Sequence, residues 1–337
     1  MPVRVTGITP KGLGSGTNDG QYEFSDGQFA RSITVDSNGG GEFASVQAAI
    51  NSVADGNRDW ILINIKAGIY REKVTLPKDK SYLVIRGERP ESTIIEWNTD
   101  MEASLWTNSS NLAADVLSSA TFTSSASDIV FQGITIKNTY EGQNGPKAAI
   151  ALAVSGDRTS FYSCRFIGIQ DTLCDNLGRH YFHDCYIEGS VDFIFGYARS
   201  TYENCNINTV PDKGLKAGWI TANGRRSLDD ASAYVFKFCK ISGSFKTYLG
   251  RAWNKYSRVI FYRTDMSNCV VPQGWDNWAT PDKGASTTFA EAECSGTGAV
   301  VSQRVKWEKK LRPEELEEFI STNQFINYDG WLDKQPH

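Results

Sequence analysis

Two aspartates, Asp171 and Asp192, stand at matching places in two similar stretches of the sequence. Asp171 lies seven residues after Cys164, and Asp192 lies seven residues after Cys185. If the two cysteines occupy equivalent positions in neighbouring coils of a repeating fold, the two carboxyl groups lie side by side on one face. Two carboxylates held so close cannot both ionise freely, so one is driven toward its protonated form. The pair then supplies an acid together with a base or a nucleophile.

A third segment, Leu-Gly-Arg-Ala-Trp at residues 249–253, places a guanidinium beside an indole. An arginine near Asp192 would keep that carboxylate ionised and orient it through a two-pronged hydrogen bond. Trp253 offers a flat face on which a sugar ring can pack. From spacing alone an alternative stays open, because stacked aspartates in a repeating fold also bond turn amides and Arg251 also fits a structural ion pair.

Other patterns for catalysis and metal binding are missing from the sequence. It contains no G-x-S-x-G elbow, no P-loop and no G-x-G-x-x-G after a strand. With only three histidines and no C-x-x-C pair among seven cysteines, we expect no structural zinc site. His180 and His183 fall on opposite sides of a strand, so each is predicted to be structural. What remains is carboxylate chemistry supported by arginine and amide groups.

The elements that would position these residues come from a repeat in the middle of the chain. Phe-Gln-Gly-Ile-Thr-Ile at 131–136 resembles Tyr-Ser-Cys-Arg-Phe-Ile at 162–167, and the theme recurs at 183–187, 203–207 and 237–241. Short β-rich units at such intervals, without helical units between them, predict an all-β solenoid. A single-stranded right-handed parallel β-helix fits, because equivalent positions of successive coils then lie about 4.8 Å apart. Leucine-rich repeats are the competing solenoid, but their pattern is missing.

Helical patterns occur toward the two ends of the chain. Residues 42–53 place apolar residues at positions 43, 46, 50 and 53 on one face, which predicts a short helix capping the N-terminal end of the solenoid. Pro313 suits a first helical turn, and an apolar stripe at 316, 319 and 320 follows it, which predicts a C-terminal helical segment. Residues 1–30 are predicted to be an irregular lead-in, and residues 31–333 a single β-helix domain.

Composition and charge exclude several classes of protein. With 337 residues, 40% hydrophobic and 12% aromatic, the chain can bury a sizeable core and is neither disordered nor fibrous. A formal net charge of −4 argues against a nucleic-acid partner. The longest unbroken apolar run, at 148–154, is too short to cross a bilayer, so no membrane partner is expected.

Three segments together resemble the pectin methylesterase (pectinesterase) family, in particular its plant members. They are Gln-Asp-Thr-Leu at 170–173, Asp-Phe-Ile-Phe-Gly at 192–196 and Leu-Gly-Arg-x-Trp at 249–253, in the family's order. Supporting matches extend the similarity over about residues 31–333; they lie at 68–73, 220–225, 274–275, 289–291, 296–299 and 331–332. The family's fold, a right-handed parallel β-helix, agrees with the fold predicted from the repeat.

The resemblance implies hydrolysis of the C6 methyl esters of galacturonate units in pectin, which releases methanol and leaves pectate without a metal or organic cofactor. By motif match, Asp192 is expected to be the nucleophile, and Asp171 the acid that protonates methanol and then the base that activates water. Gln170 is expected to donate to the oxyanion, and Arg251 to orient Asp192. The expected sugar contacts are Phe195, Trp253 and Trp275, with a place in the core as the alternative for Trp275.

One departure from the family's pattern concerns the oxyanion donors. The family usually carries a second glutamine 22 residues before Gln170, and here that position is Ala148. Loss of one oxyanion donor typically costs about 10²–10³ in rate. A non-catalytic or weakly active pectin-binding relative is therefore an alternative. A polygalacturonase or a pectate lyase is a further alternative, although the paired aspartates and Gly-His-Gly of polygalacturonases are missing.

The resemblance also implies the surroundings in which the protein works. Its expected partner is methylated homogalacturonan, and a proteinaceous pectin methylesterase inhibitor is a further candidate partner. We expect a monomer that is secreted to the extracellular space and the cell wall.

Overall fold

In a computed structural model of the protein, residues 28–99, 119–141, 147–278 and 286–336 are described. Within them the chain winds through three sheets, and successive coils add one strand to each sheet. The pairing is parallel throughout the three sheets. This arrangement is a single-stranded parallel β-helix, as the repeat in the sequence predicts. The predicted lead-in at 1–30 lies outside the described residues except for residues 28–30.

The strands of each sheet follow one another in spatial order. Sheet A consists of β1 (Arg31–Val35), β2 (Ile61–Ile65), β5 (Leu83–Gly87), β8 (Ile129–Gln132), β11 (Thr159–Tyr162), β14 (Arg179–His183), β17 (Arg199–Glu203), β20 (Ala233–Lys237), β23 (Arg258–Tyr262) and β26 (Thr288–Ala292). Sheet B consists of β3 (Gly68–Arg71), β6 (Thr93–Trp97), β9 (Thr135–Asn138), β12 (Arg165–Ile167), β15 (Tyr186–Gly189), β18 (Asn206–Thr209), β21 (Lys240–Gly243) and β24 (Asp265–Met266). Sheet C consists of β4 (Val74–Leu76), β7 (Phe122–Ser124), β10 (Leu152–Val154), β13 (Leu173–Asp175), β16 (Val191–Gly196), β19 (Gly218–Asn223), β22 (Thr247–Arg251) and β25 (Trp275–Asp276).

The repeated segments of the sequence form the corner between sheets A and B in successive coils. The corner residues Ser163, Asp184 and Asn204 adopt φ values of 49°, 53° and 56°, a left-handed conformation that turns the chain sharply. Each is followed by a cysteine whose side chain enters the core. The cysteines at 164, 185, 205 and 239 are at most 2% exposed and are free thiols. The column predicted from the cysteine spacing is therefore present.

A ladder of aromatic rings fills the interior behind sheet A. Its members are Phe131, Phe161, Phe182, Tyr202, Phe236 and Phe261, with successive ring centroids 4.4–4.9 Å apart and nearly parallel planes. In-register parallel strands place equivalent side chains about one strand spacing apart, so flat rings stack on one another. The ladder ties each coil to the next and keeps the coils in register.

The helix at the N-terminal end is shorter than the predicted span of 42–53. Helix α1 (Val46–Asn51) begins after Ser45, whose side chain accepts a hydrogen bond from the amide of Ala48. Phe43 lies before this cap and pairs with Val35 of β1 instead. The buried face of α1 joins the main core, so the helix covers the first coil as predicted.

The C-terminal segment lies on the outer face of sheet A. Helix α2 (Pro313–Ile320) starts at the predicted proline, and α3 (Thr322–Phe325) follows; short 3₁₀ helices span Val301–Gln303 and Leu332–Lys334. Leu316 and Phe319 pack against a buried apolar cluster that contains Val235 and Ile260 of sheet A. Among the described residues, none of the helices has the length and apolar character needed to cross a bilayer.

Candidate active site

The two predicted aspartates lie in adjacent coils at the start of neighbouring strands of sheet C. Gln170 pairs with Val191, and the amide of Asp171 donates to the Val191 carbonyl at 2.9 Å. Leu173 pairs with Ile194 two residues further along, so Asp171 and Asp192 occupy one register position. Both have positive φ values, 62° and 48°. Non-glycine residues in this conformation are strained and cluster at functional sites.

The Arg251 guanidinium binds Asp192 with two hydrogen bonds. Its Nε donates to Oδ1 at 2.7 Å, and its Nη2 donates to Oδ2. The guanidinium carbon also lies 3.6 Å from the ring centre of Trp278 and 4.1 Å from that of Trp219. A planar group between two indoles has little freedom to turn, so Asp192 is held in one orientation.

The two carboxyl groups differ in their environment. Burial raises the pKa of Asp171 well above its usual range, and the Asp192 charge raises it further, while Arg251 acts in the opposite direction. The pKa of Asp192 is also raised, because burial and the Asp276 charge outweigh the hydrogen bonds and the charge of Arg251, which lower it. Of the two carboxyl groups, Asp171 therefore binds a proton more readily, and Asp192 more readily keeps its negative charge.

The floor beside the pair is an apolar strip on the outer face of sheet C. Ala153, Cys174, Phe195 and Ala222 are paired in register across four strands and are at most 7% exposed. Trp253 packs on this strip, with its ring centre 6.2 Å from that of Phe195. The structure thus brings Phe195 and Trp253 together on one side of the aspartates.

Trp275 does not lie at the groove. It is 1% exposed, and its ring stacks on Phe289 with centroids 4.6 Å apart. Pairing with Gly250 sets its side chain toward the interior, which favours the alternative, a core tryptophan, over the predicted sugar contact. Trp278 covers Arg251 instead, in a turn held by its amide and Asp276 Oδ1 at 2.7 Å. The second tryptophan of Gly-Trp-Asp-Asn-Trp was the signal that sequence reasoning missed.

Trp219 and Tyr248 form an aromatic pair that was not predicted. They lie in later coils at the same register position as Gln170. Val191 pairs with Trp219, and Trp219 pairs with Tyr248. The two rings stack with centroids 5.9 Å apart and planes 11° apart, and Trp219 Nε1 donates to Asp276 at 2.9 Å. A cavity of about 280 Å³ lies beyond them, lined by Tyr248, Gln273, Trp275, Asp276, Asn277, Val305 and Trp307. The only sequence signal for this aromatic pair is that Trp219 and Tyr248 are each the second residue of a strand.

Gln170 and Ala148 lie on neighbouring coils. Gln170 is half-buried, and its carbonyl accepts a hydrogen bond from the Ala149 amide at 3.1 Å. Ala148 is 1% exposed. The position at which a second amide donor was expected therefore carries a methyl group beside Gln170.

His180 lies in the interior and not at the groove. It is fully buried, with Nδ1 2.5 Å from Asp175 Oδ1 and Nε2 2.8 Å from the Gly156 carbonyl oxygen. Tyr202 donates to the other Asp175 oxygen at 2.7 Å. The histidine is structural, as predicted. In the part of the chain that the structure describes, no group of three or more His, Cys, Asp or Glu side chains is arranged to hold a metal ion.

Comparison with known proteins decides the family. The Pectinesterase family model matches residues 32–329. The chain belongs to the Pectinesterase family. It is 40% identical to "Probable pectinesterase 29" of Arabidopsis thaliana over 92% of this chain and 91% of that protein, and 41% identical to "Probable pectinesterase 55" of the same plant over 90% and 91%. The chain is therefore a pectinesterase, and the alternative activities, those of a polygalacturonase or a lyase, are not favoured.

Solved pectin methylesterases share the fold, a right-handed parallel β-helix. The enzyme from carrot is 29% identical with a TM-score of 0.83, covering 92% of this chain and 97% of that one. The enzyme from Aspergillus niger, in deglycosylated form, is 26% identical with a TM-score of 0.75, covering 91% and 96%. A pectin methylesterase in complex with a hexasaccharide is 25% identical with a TM-score of 0.72, covering 91% and 98%.

Proposed function

We propose that this pectinesterase cleaves the methyl esters of pectin at the groove over sheet C, with Asp192 as the nucleophile and Asp171 as the acid and base. The observation that carries the proposal is the difference between the two aspartates. Arg251 donates hydrogen bonds to Asp192, while Asp171 is buried beside it and its pKa is raised more than that of Asp192. The complex of a solved pectin methylesterase with a hexasaccharide supports a polysaccharide chain as the substrate.

In the first half of the reaction an Asp192 oxygen attacks the ester carbonyl carbon. The carbonyl electron pair moves onto its oxygen, where the side-chain amide of Gln170 donates a hydrogen bond to the developing charge. As this tetrahedral species collapses, the bond to the methoxy oxygen breaks and Asp171 transfers its proton to that oxygen. Methanol leaves, and the galacturonate carbonyl is joined to Asp192 as an acyl-enzyme.

In the second half Asp171, now a carboxylate, takes a proton from a water molecule. The water oxygen attacks the acyl carbon, the bond to Asp192 breaks, and Asp192 regains its negative charge. The product is the free C6 acid, and Asp171 again carries a proton. Arg251 serves both halves, because it holds the Asp192 carboxylate in the same orientation as nucleophile and as leaving group.

In our proposal the enzyme turns over slowly, because Ala148 replaces an oxyanion donor. One missing oxyanion donor typically costs about 10²–10³ in rate, or roughly 3–4 kcal/mol. In this proposal Asp171, Asp192 and Arg251 keep their roles, so the loss lowers the rate and does not abolish catalysis.

The test of this activity is incubation of the protein with highly methylated pectin. Methanol release without shortening of the chain is expected from the wild type, and none above background from Asp192→Ala. New reducing ends or unsaturated products would point to a polygalacturonase or a lyase. Pectin binding without methanol release in the wild type would point to the non-catalytic alternative.

We further propose a monomer secreted to the cell wall, with residues 31–333 acting as one domain and a proteinaceous inhibitor as a partner. Cell-wall pectin, on which plant members of the family act, supports this location. Sedimentation of the purified protein tests the monomer, since a dimer mass would overturn it.

A further inference from the structure

A cationic side chain extends the aromatic wall of the groove on the side away from the aspartates. The Tyr197 ring centre lies 5.0 Å from that of Trp253, and the Arg226 guanidinium carbon lies 4.1 Å above the Tyr197 ring. Trp253 in turn contacts Phe195 on the groove floor. Phe195, Trp253, Tyr197 and Arg226 thus form one continuous surface, which ends in an exposed positive charge.

The loop that carries Arg226 is held firmly from beneath. Arg225 is 2% exposed and donates to the carbonyl oxygens of Asp230 at 2.7 Å and of Tyr256 at 3.3 Å, with a further hydrogen bond to Leu228. Tyr197 is seated against Gly224, where an added Cβ would lie 2.3 Å from its ring. The position of the Arg226 guanidinium is therefore set by a packed support, and not by a loose loop tip.

The Arg226 guanidinium is available to bind an anion. The Asp230 carboxylate of the same loop accepts from the backbone amides of Arg226 and Ser232, at 3.1 and 2.9 Å. The structure gives the Arg226 guanidinium no ion pair with any of the residues it describes. A guanidinium stacked on a tyrosine keeps its donor edge open, and that edge matches a carboxylate in a two-pronged hydrogen bond.

The reaction itself produces an anionic ligand for the groove. Each reaction replaces a neutral methyl ester with a carboxylate, and the neighbouring units of the polymer stay in the groove. Tyr197 lies just past the end of β16, the strand of Asp192, and Arg226 lies just past the end of β19, the next strand in the direction in which the coils stack, so Arg226 flanks the groove one coil beyond Asp192. Its reach is to another unit of the same chain.

We propose that Arg226, supported by Tyr197, binds the free carboxylate of a demethylated galacturonate unit that flanks the reacting one. This inference rests on the proposed function, since it assigns a specificity-determining residue to the same groove. It makes the enzyme favour pectin that already carries free carboxylates over fully methylated pectin.

The test measures two quantities in the same proteins. The first is the affinity for a demethylated oligogalacturonate hexamer, by titration calorimetry, in the wild type, Arg226→Gln and Arg226→Lys. The second is KM for methanol release from fully and from partly methylated pectin. Arg263→Gln is the matched control, because Arg263 is also exposed and stacked on a tyrosine, 5.0 Å from Tyr262, but is paired with Glu293 away from the groove.

We expect Arg226→Gln to weaken hexamer binding about fivefold and to raise KM only for partly methylated pectin, with kcat unchanged. Arg226→Lys, which keeps the charge without the planar fork, should restore part of the affinity, and Arg263→Gln should match the wild type. Equal hexamer binding by the wild type and Arg226→Gln overturns the inference. Absence of methanol release from the wild type overturns the proposed function, while the binding result still decides the role of Arg226.

Discussion

The Asp171 and Asp192 side chains are chemically identical, and their surroundings give them different affinities for a proton. Both are buried, which raises both pKa values, but only Asp192 receives the two hydrogen bonds of Arg251. The spacing of two cysteines predicted the pair of aspartates, and the resemblance to the family implied that Arg251 orients Asp192. The sequence could not predict that Trp219 and Trp278 would enclose the guanidinium, because nothing in the spacing shows that separate strands and turns bring those rings together.

The pH dependence of the rate follows from this inequality. Activity needs Asp192 charged and Asp171 protonated, so the rate should fall at low pH as Asp192 gains a proton and at high pH as Asp171 loses one. Arg251 lowers both pKa values, and Asp192 feels it through hydrogen bonds as well as charge. Arg251→Gln should therefore shift the acid limb of kcat/KM to higher pH and lower the maximum by about 10²-fold.

Arg71→Gln is the control for that profile, because it removes an exposed ion pair with Glu96 from sheet B. Its pH profile should overlay that of the wild type. An Arg251→Gln enzyme with an unshifted acid limb would show that Arg251 does not control the ionisation of Asp192.

The alanine at position 148 provides a gain-of-function prediction. Ala148→Gln restores an amide beside Gln170 and should raise kcat by up to about 10², because a second donor stabilises the oxyanion. Ala148→Met is the control, since it has nearly the same shape and no amide. Methanol-release kinetics measure both, and an equal gain in the two variants would attribute the effect to packing and not to oxyanion binding.

The strands and turns decide which aromatic side chains reach the groove. The repeat predicted the column of cysteines, and the structure places that column at the corner between sheets A and B, where a left-handed residue precedes each cysteine. The end of helix α1 was less predictable, because apolar residues continued the helical pattern back to Phe43 while Ser45 capped it. Trp275 was misplaced for a similar reason, since residue type alone does not show which face of a two-residue strand is inside.

Trp275 and Trp278 should respond differently to substitution. Trp275→Ala should lower the free energy of unfolding by about 3–5 kcal/mol, because it empties a site in the core. Trp278→Ala should leave stability nearly unchanged and raise KM about three- to tenfold, because it removes an aromatic face from the groove. Denaturant unfolding and methanol-release kinetics separate the two effects, and a larger KM change for Trp275→Ala would place Trp275 in contact with the substrate.

Over the whole molecule, the aromatic ladder and the C-terminal segment make the groove a stable and open surface. The C-terminal segment covers sheet A, and the apolar strip of the groove runs across successive strands of sheet C, along the direction in which the coils stack. This layout suits a long polymer that lies across several coils. The repeat predicted the stacking, but not which outer face the C-terminal helices would cover, because their apolar stripe fits any flat apolar surface.

The ladder should carry a large share of the stability of this layout. Phe182 stacks between Phe161 and Tyr202 and is fully buried, so Phe182→Ala should cost about 3–5 kcal/mol of unfolding free energy. Phe238 is 44% exposed, and Phe238→Ala should cost less than about 1 kcal/mol. Urea unfolding compares the two, and similar losses would contradict the role of the ladder in joining the coils.

The position of the shared proton is the most direct test of the account. Infrared difference spectroscopy at neutral pH should show one protonated carboxyl band that disappears in Asp171→Asn and persists in Arg71→Gln, because Asp171 holds the proton while Asp192 stays charged beside Arg251. A band that survives in Asp171→Asn and disappears in Asp192→Asn would place the proton on the proposed nucleophile and contradict the account.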